Sequence, residues 1–203
     1  MILLLAVVSG VIAGILRARW LRTRWASPEL RYLWLVPVAF LPQFFVFYFP
    51  WTRNHIPVAL AAFCLVCSQL GLMLFCTLNK HLPGMPILAT GLILNFLAII
   101  ANGGLMPLET TTAARLVPGD VLVTLQVGAR FGMSKDILLT PEAVVFPWLA
   151  DRFVPPDWFP YQFAFSLGDI LVAVGVFILL AISQEQRHSS KKGRFSDDYQ
   201  PII

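Results

Sequence analysis

Two aspartates are the residues best suited to do chemistry in this sequence. Asp169 opens the apolar run FAFSLGDILVAVGVFILLAIS, and Asp151 lies eighteen positions earlier. Two carboxylates held close together cannot both ionise easily, so one keeps a proton while the other activates water. That is the chemistry of an aspartyl hydrolase, with Asp151 and Asp169 as its catalytic pair. Asp169 also has a purely structural reading. Ser166 stands three residues before it, and a serine at that spacing from an acid, ahead of an apolar run, forms a capping box at a helix start. A carboxylate there gains about 0.3–1 kcal/mol from the helix dipole. Spacing alone leaves both readings of Asp169 open.

Other groups carry less. Cys64 and Cys67 form a C-x-x-C pair, which shares a helix face and occurs in thiol oxidoreductases. The remaining cysteine, Cys76, lies in the same apolar segment, so no loop cysteine could shuttle electrons to the pair. These thiols read as soft packing residues. His55, His81 and His188 fall in separate regions, which predicts no metal site, and nothing else in the sequence calls for a cofactor. Asn95 and Asn102 lie seven apart, on one face of a helix. A small-solute transporter would place such groups around a midplane site. They serve equally as interhelical hydrogen bonds, worth about 0.6 kcal/mol each.

These residues need elements to position them, and composition says which. The chain has 203 residues, 58% hydrophobic and 13% charged, whereas soluble domains are about a quarter charged. Five apolar segments, about 2–16, 33–49, 57–78, 83–101 and 166–183, approach the roughly 17–25 residues of a membrane span. Lipid cannot satisfy an exposed backbone amide, so the spans are helices. The expected fold is all-α: a polytopic transmembrane bundle of five helices forming one domain over 1–183, with a flexible cytoplasmic tail at 184–203. The N-terminal run lacks the basic start of a signal peptide and reads as a retained first span.

Charge placement orients the spans. Arg17, Arg19, Arg22, Arg24 and Arg31 follow span one, Lys80 and His81 follow span three, and Arg187, Lys191, Lys192 and Arg194 occupy the tail. The positive-inside bias puts all of these in the cytoplasm, the N-terminus outside and residues 102–165 outside. The basic run is expected to meet anionic lipid headgroups rather than nucleic acid. The outer segment is long enough to hold structure of its own. In it, VLVTLQV suits a strand or a helix. Thr140 and Pro141 predict the start of a short interfacial helix whose apolar face is Val144, Val145, Trp148 and Leu149. Gly10 and Gly14, and likewise Gly168 and Gly175, lie on single helix faces and mark possible packing seams. Pro37 and Pro42 should kink span two.

The stretch from Asp151 through WFPYQFAFSLGDILVAVGVFILL resembles the C-terminal part of lipoprotein signal peptidases. The resemblance implies a membrane aspartyl enzyme in which Asp151 and Asp169 are the catalytic carboxylates. FAFSLGD lacks the asparagine of that family's F-N-x-A-D pattern. The segments LNFLAIIANGGLMP, SKDILLTPEAVVFPWLADRF and FSLGDILVAVG resemble a bacterial family of five-span membrane proteins with no assigned function. That resemblance implies a bacterial cytoplasmic membrane and lends no activity. The reading that fits most of the sequence is a non-catalytic accessory or scaffolding protein, with the bilayer and other membrane subunits as partners. The aspartyl hydrolase and the transporter stand as alternatives, so whether the chain is an enzyme stays open.

Overall fold

The computed structural model describes residues 1–118, 121 and 125–182. The tail from 184 and the centre of VLVTLQV lie outside the described residues. The described chain is mostly helical: α1 (Ile2–Trp20), α2 (Leu35–Gln43), α3 (Pro50–His55), α4 (Val58–Leu78), α5 (Met85–Ala101), α6 (Thr110–Ala113) and α7 (Leu167–Ile182). At about 1.5 Å per residue, α1 and α4 are long and apolar enough to cross a membrane, while Leu35–Tyr48, Met85–Ala101 and Leu167–Ile182 are shorter apolar helices. Large apolar side chains stand exposed along them, including Leu4, Ile12 and Leu16 on α1, Phe63 and Leu74 on α4, and Leu97 and Ile100 on α5. So much uncovered apolar surface suggests association with a membrane. In α2, Pro42 cannot donate to the helical ladder, and the helix continues as a π-helical turn, Phe44–Tyr48.

Small residues set the seams. An added Cβ at Gly10 of α1 would come within 3.1 Å of the Phe177 backbone of α7. The Trp25 indole N–H donates to the Leu180 carbonyl at 3.0 Å, and its ring lies over Gly14. On its other side α7 meets α5, with Gly168 facing Gly91 and Gly175 facing Gly84. The two helices are therefore antiparallel. The loop after α1 is also tied to the end of α4, because the Arg31 N–H donates to Asn79 Oδ1 at 2.7 Å and Asn79 Nδ2 donates to the Arg31 carbonyl at 2.9 Å. These contacts collect the Arg17–Arg31 segment, the ends of α4 and α7 and the start of α5 at one end of the helices. Asn95, Ser166 and Asp169 lie toward the other end.

The described chain is not all-α. Residues Met106–Glu109 (β1) and Asp136–Leu139 (β2) form a parallel two-stranded sheet, with Met106 opposite Asp136 and Glu109 opposite Leu139. Strands of four residues carry too little alternation to be legible, and Pro107 argues against a strand. Pro107 is tolerated because it is asked only to accept: its carbonyl takes the Asp151 N–H at 3.1 Å. Leu105, Met106 and Leu149 pack with Ala61, Leu65, Ala98 and Ile99, which seats the sheet on α4 and α5.

The helix expected after Thr140 does not form. Only a 3-10 turn, Pro141–Ala143, is present, and Thr140 makes no side-chain cap. Val144 and Leu149 are buried, whereas Val145 and Trp148 are exposed, so the four share no face. Asn102 is the competitor. Its Nδ2 donates to the Val145 carbonyl at 2.8 Å, and its Oδ1 accepts the Val145 N–H at 2.9 Å. Those bonds hold the segment extended, and Phe146 then turns through a left-handed φ of 58°. An Asn102→Ala variant leaves the Val145 amide and carbonyl unpaired, at a cost of about 1–3 kcal/mol. Thermal unfolding in detergent should register that loss, and an unchanged midpoint would contradict the clamp.

Candidate functional site

Four segments that are remote in sequence converge where the sheet meets α7. β1 is the hub. The Met106 N–H donates to the Lys135 carbonyl at 3.1 Å, which places Lys135 and Asp136 at the mouth of β2. The Asp151–Pro107 bond brings Asp151 to the same strand. Lys135 Nζ then lies 2.6 Å from Asp151 Oδ2, 3.6 Å from Asp136 Oδ1 and 4.0 Å from Asp169 Oδ2. Asp151 is 2% exposed.

Asp169 is held from both sides. The Ser166 N–H donates to Asp169 Oδ2 at 3.3 Å, and the Asp169 N–H donates to Ser166 Oγ at 3.0 Å. This is the reciprocal capping box expected from the spacing. Asn95 of α5 extends it: its Nδ2 donates to Asp169 Oδ1 at 2.8 Å, while its Oδ1 accepts the Ser166 hydroxyl at 2.8 Å. The glycine at 168 makes room, since a Cβ there would fall 2.1 Å from Asn95 Oδ1. Capping and charge pairing are thus one structure, not alternatives.

The electrostatics follow from counting. One ammonium faces three carboxylates, so the cluster is formally anionic by two when all are ionised. Asp136 Oδ1 and Asp151 Oδ1 are buried and accept no hydrogen bond among the described residues. Burial pushes the Asp151 carboxyl well above its usual range; the Lys135 ammonium opposes this, and the Asp136 and Asp169 charges add to it. Burial works to lower the Lys135 value, but the Asp151, Asp169 and Asp136 charges together outweigh it and hold the ammonium above its usual value. A lysine held this way is a fixed cation and not a nucleophile.

Both shifts mean that the folded state binds protons more tightly than the unfolded chain. Stability then falls as pH rises. The Asp151 contribution is lost above the ordinary carboxylate range of about 4. The Lys135 contribution is complete below about 10.4 and is lost only above it. A melting temperature highest in mild acid is expected, and Asp151→Asn should flatten the acid-to-neutral slope. An identical slope in that variant would rule out Asp151 as its source.

The structure brings both sequence candidates, Asp151 and Asp169, to one ammonium. Lys135 and Asp136 were not singled out, although SKDILL held the signal: a charged pair at the start of an apolar strand. Cys64 and Cys67 lie on α4 as free thiols, Cys67 exposed. Among the described residues no group of three or more His, Cys, Asp or Glu is placed to hold a metal ion.

Residues 27–181 match a family described as a family of unknown function (DUF5317). A protein of Thermotoga maritima, named only as an uncharacterized protein, is 27% identical over 180 residues, covering 89% of this chain and 86% of its own length. No solved structure matches the chain.

Proposed function

The chain belongs to this family of unknown function, and from that premise we propose that it is a multi-pass protein of a bacterial cytoplasmic membrane that acts as a non-catalytic accessory or scaffolding component. Five crossings, by α1, α2, α4, α5 and α7, would put the N-terminus outside and the C-terminus in the cytoplasm. The gathering of the Arg17–Arg31 segment with the ends of α4 and α7 supports that orientation. A cytoplasm-active reporter fused after Ile203 should be active; activity only from a periplasmic reporter overturns the topology.

The observation that carries the non-catalytic reading is Lys135 Nζ, 2.6 Å from Asp151. In a carboxylate pair that works on water, the two acids share a proton and a water. Here an ammonium lies between them, and both Asp169 oxygens are engaged, by Asn95 and by Ser166. The cluster reads as a latch that locks the outer segment to the helices and presents it as a platform for other membrane subunits. Asn95 and Asn102, which a transporter would keep for solute, are both engaged within the chain, Asn95 with Asp169 and Ser166 at the start of α7 and Asn102 with Val145 of the outer segment. Purification in mild detergent should bring a partner with the chain, and recovery of the protein alone would count against scaffolding.

The second reading, an aspartyl hydrolase resembling lipoprotein signal peptidases, is favoured by one fact: Asp151 and Asp169 both lie within 4.0 Å of one nitrogen. Asp151→Asn and Asp169→Asn should each abolish cleavage of a lipoprotein precursor if that reading holds. Absence of cleavage by the unaltered protein removes it.

A further inference from the structure

A cleft of about 310 Å³ opens beside β2. Its walls include Leu116, Phe131, Met133 and Phe163, and its polar lining includes Asp136 and Gln162. Asp136 is 6% exposed, and its Oδ1 is buried and accepts no hydrogen bond among the described residues. Among the described residues its charge partner is Lys135 at 3.6 Å, and that ammonium is already committed to Asp151 at 2.6 Å. A buried carboxylate with so little compensation is costly unless a cation completes its surroundings. Asp136 is among the residues lining the cleft, so a cation seated there lies beside this carboxylate. Aromatic rings lead there from outside: the exposed Trp158 meets Phe159 at 6.1 Å between centroids, and Phe159 meets Phe163 at 6.1 Å.

We propose that this cleft binds a small organic ammonium ion bearing an apolar group, with Asp136 as its anionic partner. The walls select the class. A hard metal cation needs several oxygen ligands, whereas the side chains lining this cleft are more often apolar than polar and include two phenylalanines and a single carboxylate. Aromatic rings favour ammonium groups through their negative faces. Carboxylic acids and phosphates are excluded by the surplus of negative charge at Lys135 and its neighbours. The site adjoins the latch, because Asp136 belongs to both.

The test uses the full chain in lipid nanodiscs and three isosteric probes, benzylammonium, benzyl alcohol and benzoate, measured by titration calorimetry. Benzylammonium should bind saturably and about tenfold or more tighter than benzyl alcohol, the worth of one charged hydrogen bond; benzoate should not bind. Asp136→Asn should erase the preference for the ammonium. Should that variant fail to fold, Gln162→Lys decides the matter, since Gln162 is exposed at the rim and a lysine there should weaken benzylammonium by a similar factor. Three results overturn the proposal: no saturable benzylammonium binding in the millimolar range, equal binding of the alcohol, or ammonium affinity unchanged in both variants.

Discussion

Replacing Lys135 with methionine is expected to loosen the outer segment where it meets α7 and cost about 3 kcal/mol, the lower part of the range for removing one member of a buried ion pair. The lower part applies because the Lys135 side chain is 27% exposed, so water can partly compensate its neighbours. Methionine keeps the length of the side chain and removes the charge. Three carboxylates would then face one another without a cation, and the orphaned Asp151 could neutralise only by taking up a proton. The double variant Lys135→Met, Asp151→Asn removes charge from both sides of the closest contact and should recover part of the loss. Thermal unfolding and proteolysis of the loop before β2 give the readout. Equal stability of Lys135→Met and the unaltered protein would show that the cluster is no latch. Additive single effects in the double variant would show that the two groups act independently.

Gly175→Leu should be comparably damaging, for a steric reason. A Cβ at 175 would sit 2.6 Å from the Leu88 amide nitrogen and 2.8 Å from the Gly84 carbonyl oxygen. Those are backbone atoms of the neighbouring segment and cannot rotate away as a side-chain tip would. The helices must separate, at a cost of about 3 kcal/mol, the upper part of the usual overpacking range. Separation would also draw Asn95 of α5 from Asp169 of α7. Gly103→Ala is the control. Nothing lies within 4 Å of its added Cβ, so only its φ of +79° matters, worth about 1–2 kcal/mol. Equal melting temperatures for the two variants would contradict a seam held by close backbone approach.

Much of the helical layout was legible, because runs of apolar residues near span length declare themselves without any partner. The capping box at Ser166–Asp169 was legible for the same reason: its bonds join residues three apart. The segment after Thr140 misled, since its local pattern favoured a helix while Asn102, more than forty positions away, held Val145 extended. The strands escaped notice because each is four residues long and exists only through the other.

By itself, then, the sequence determined a mostly helical chain rich in lipid-compatible surface, with basic residues clustered between its apolar runs and an acid at the start of α7. Those properties are local: hydropathy, charge and capping act within a few residues of the chain. Only the tertiary structure decided that Asp169 shares a lysine with Asp151. It also decided that the lysine is Lys135, and that Asn95 ties the group to α5. Side chains 16 to 74 positions apart meet there because a parallel strand pair and a glycine seam bring their backbones together. No sequence period encodes that coincidence.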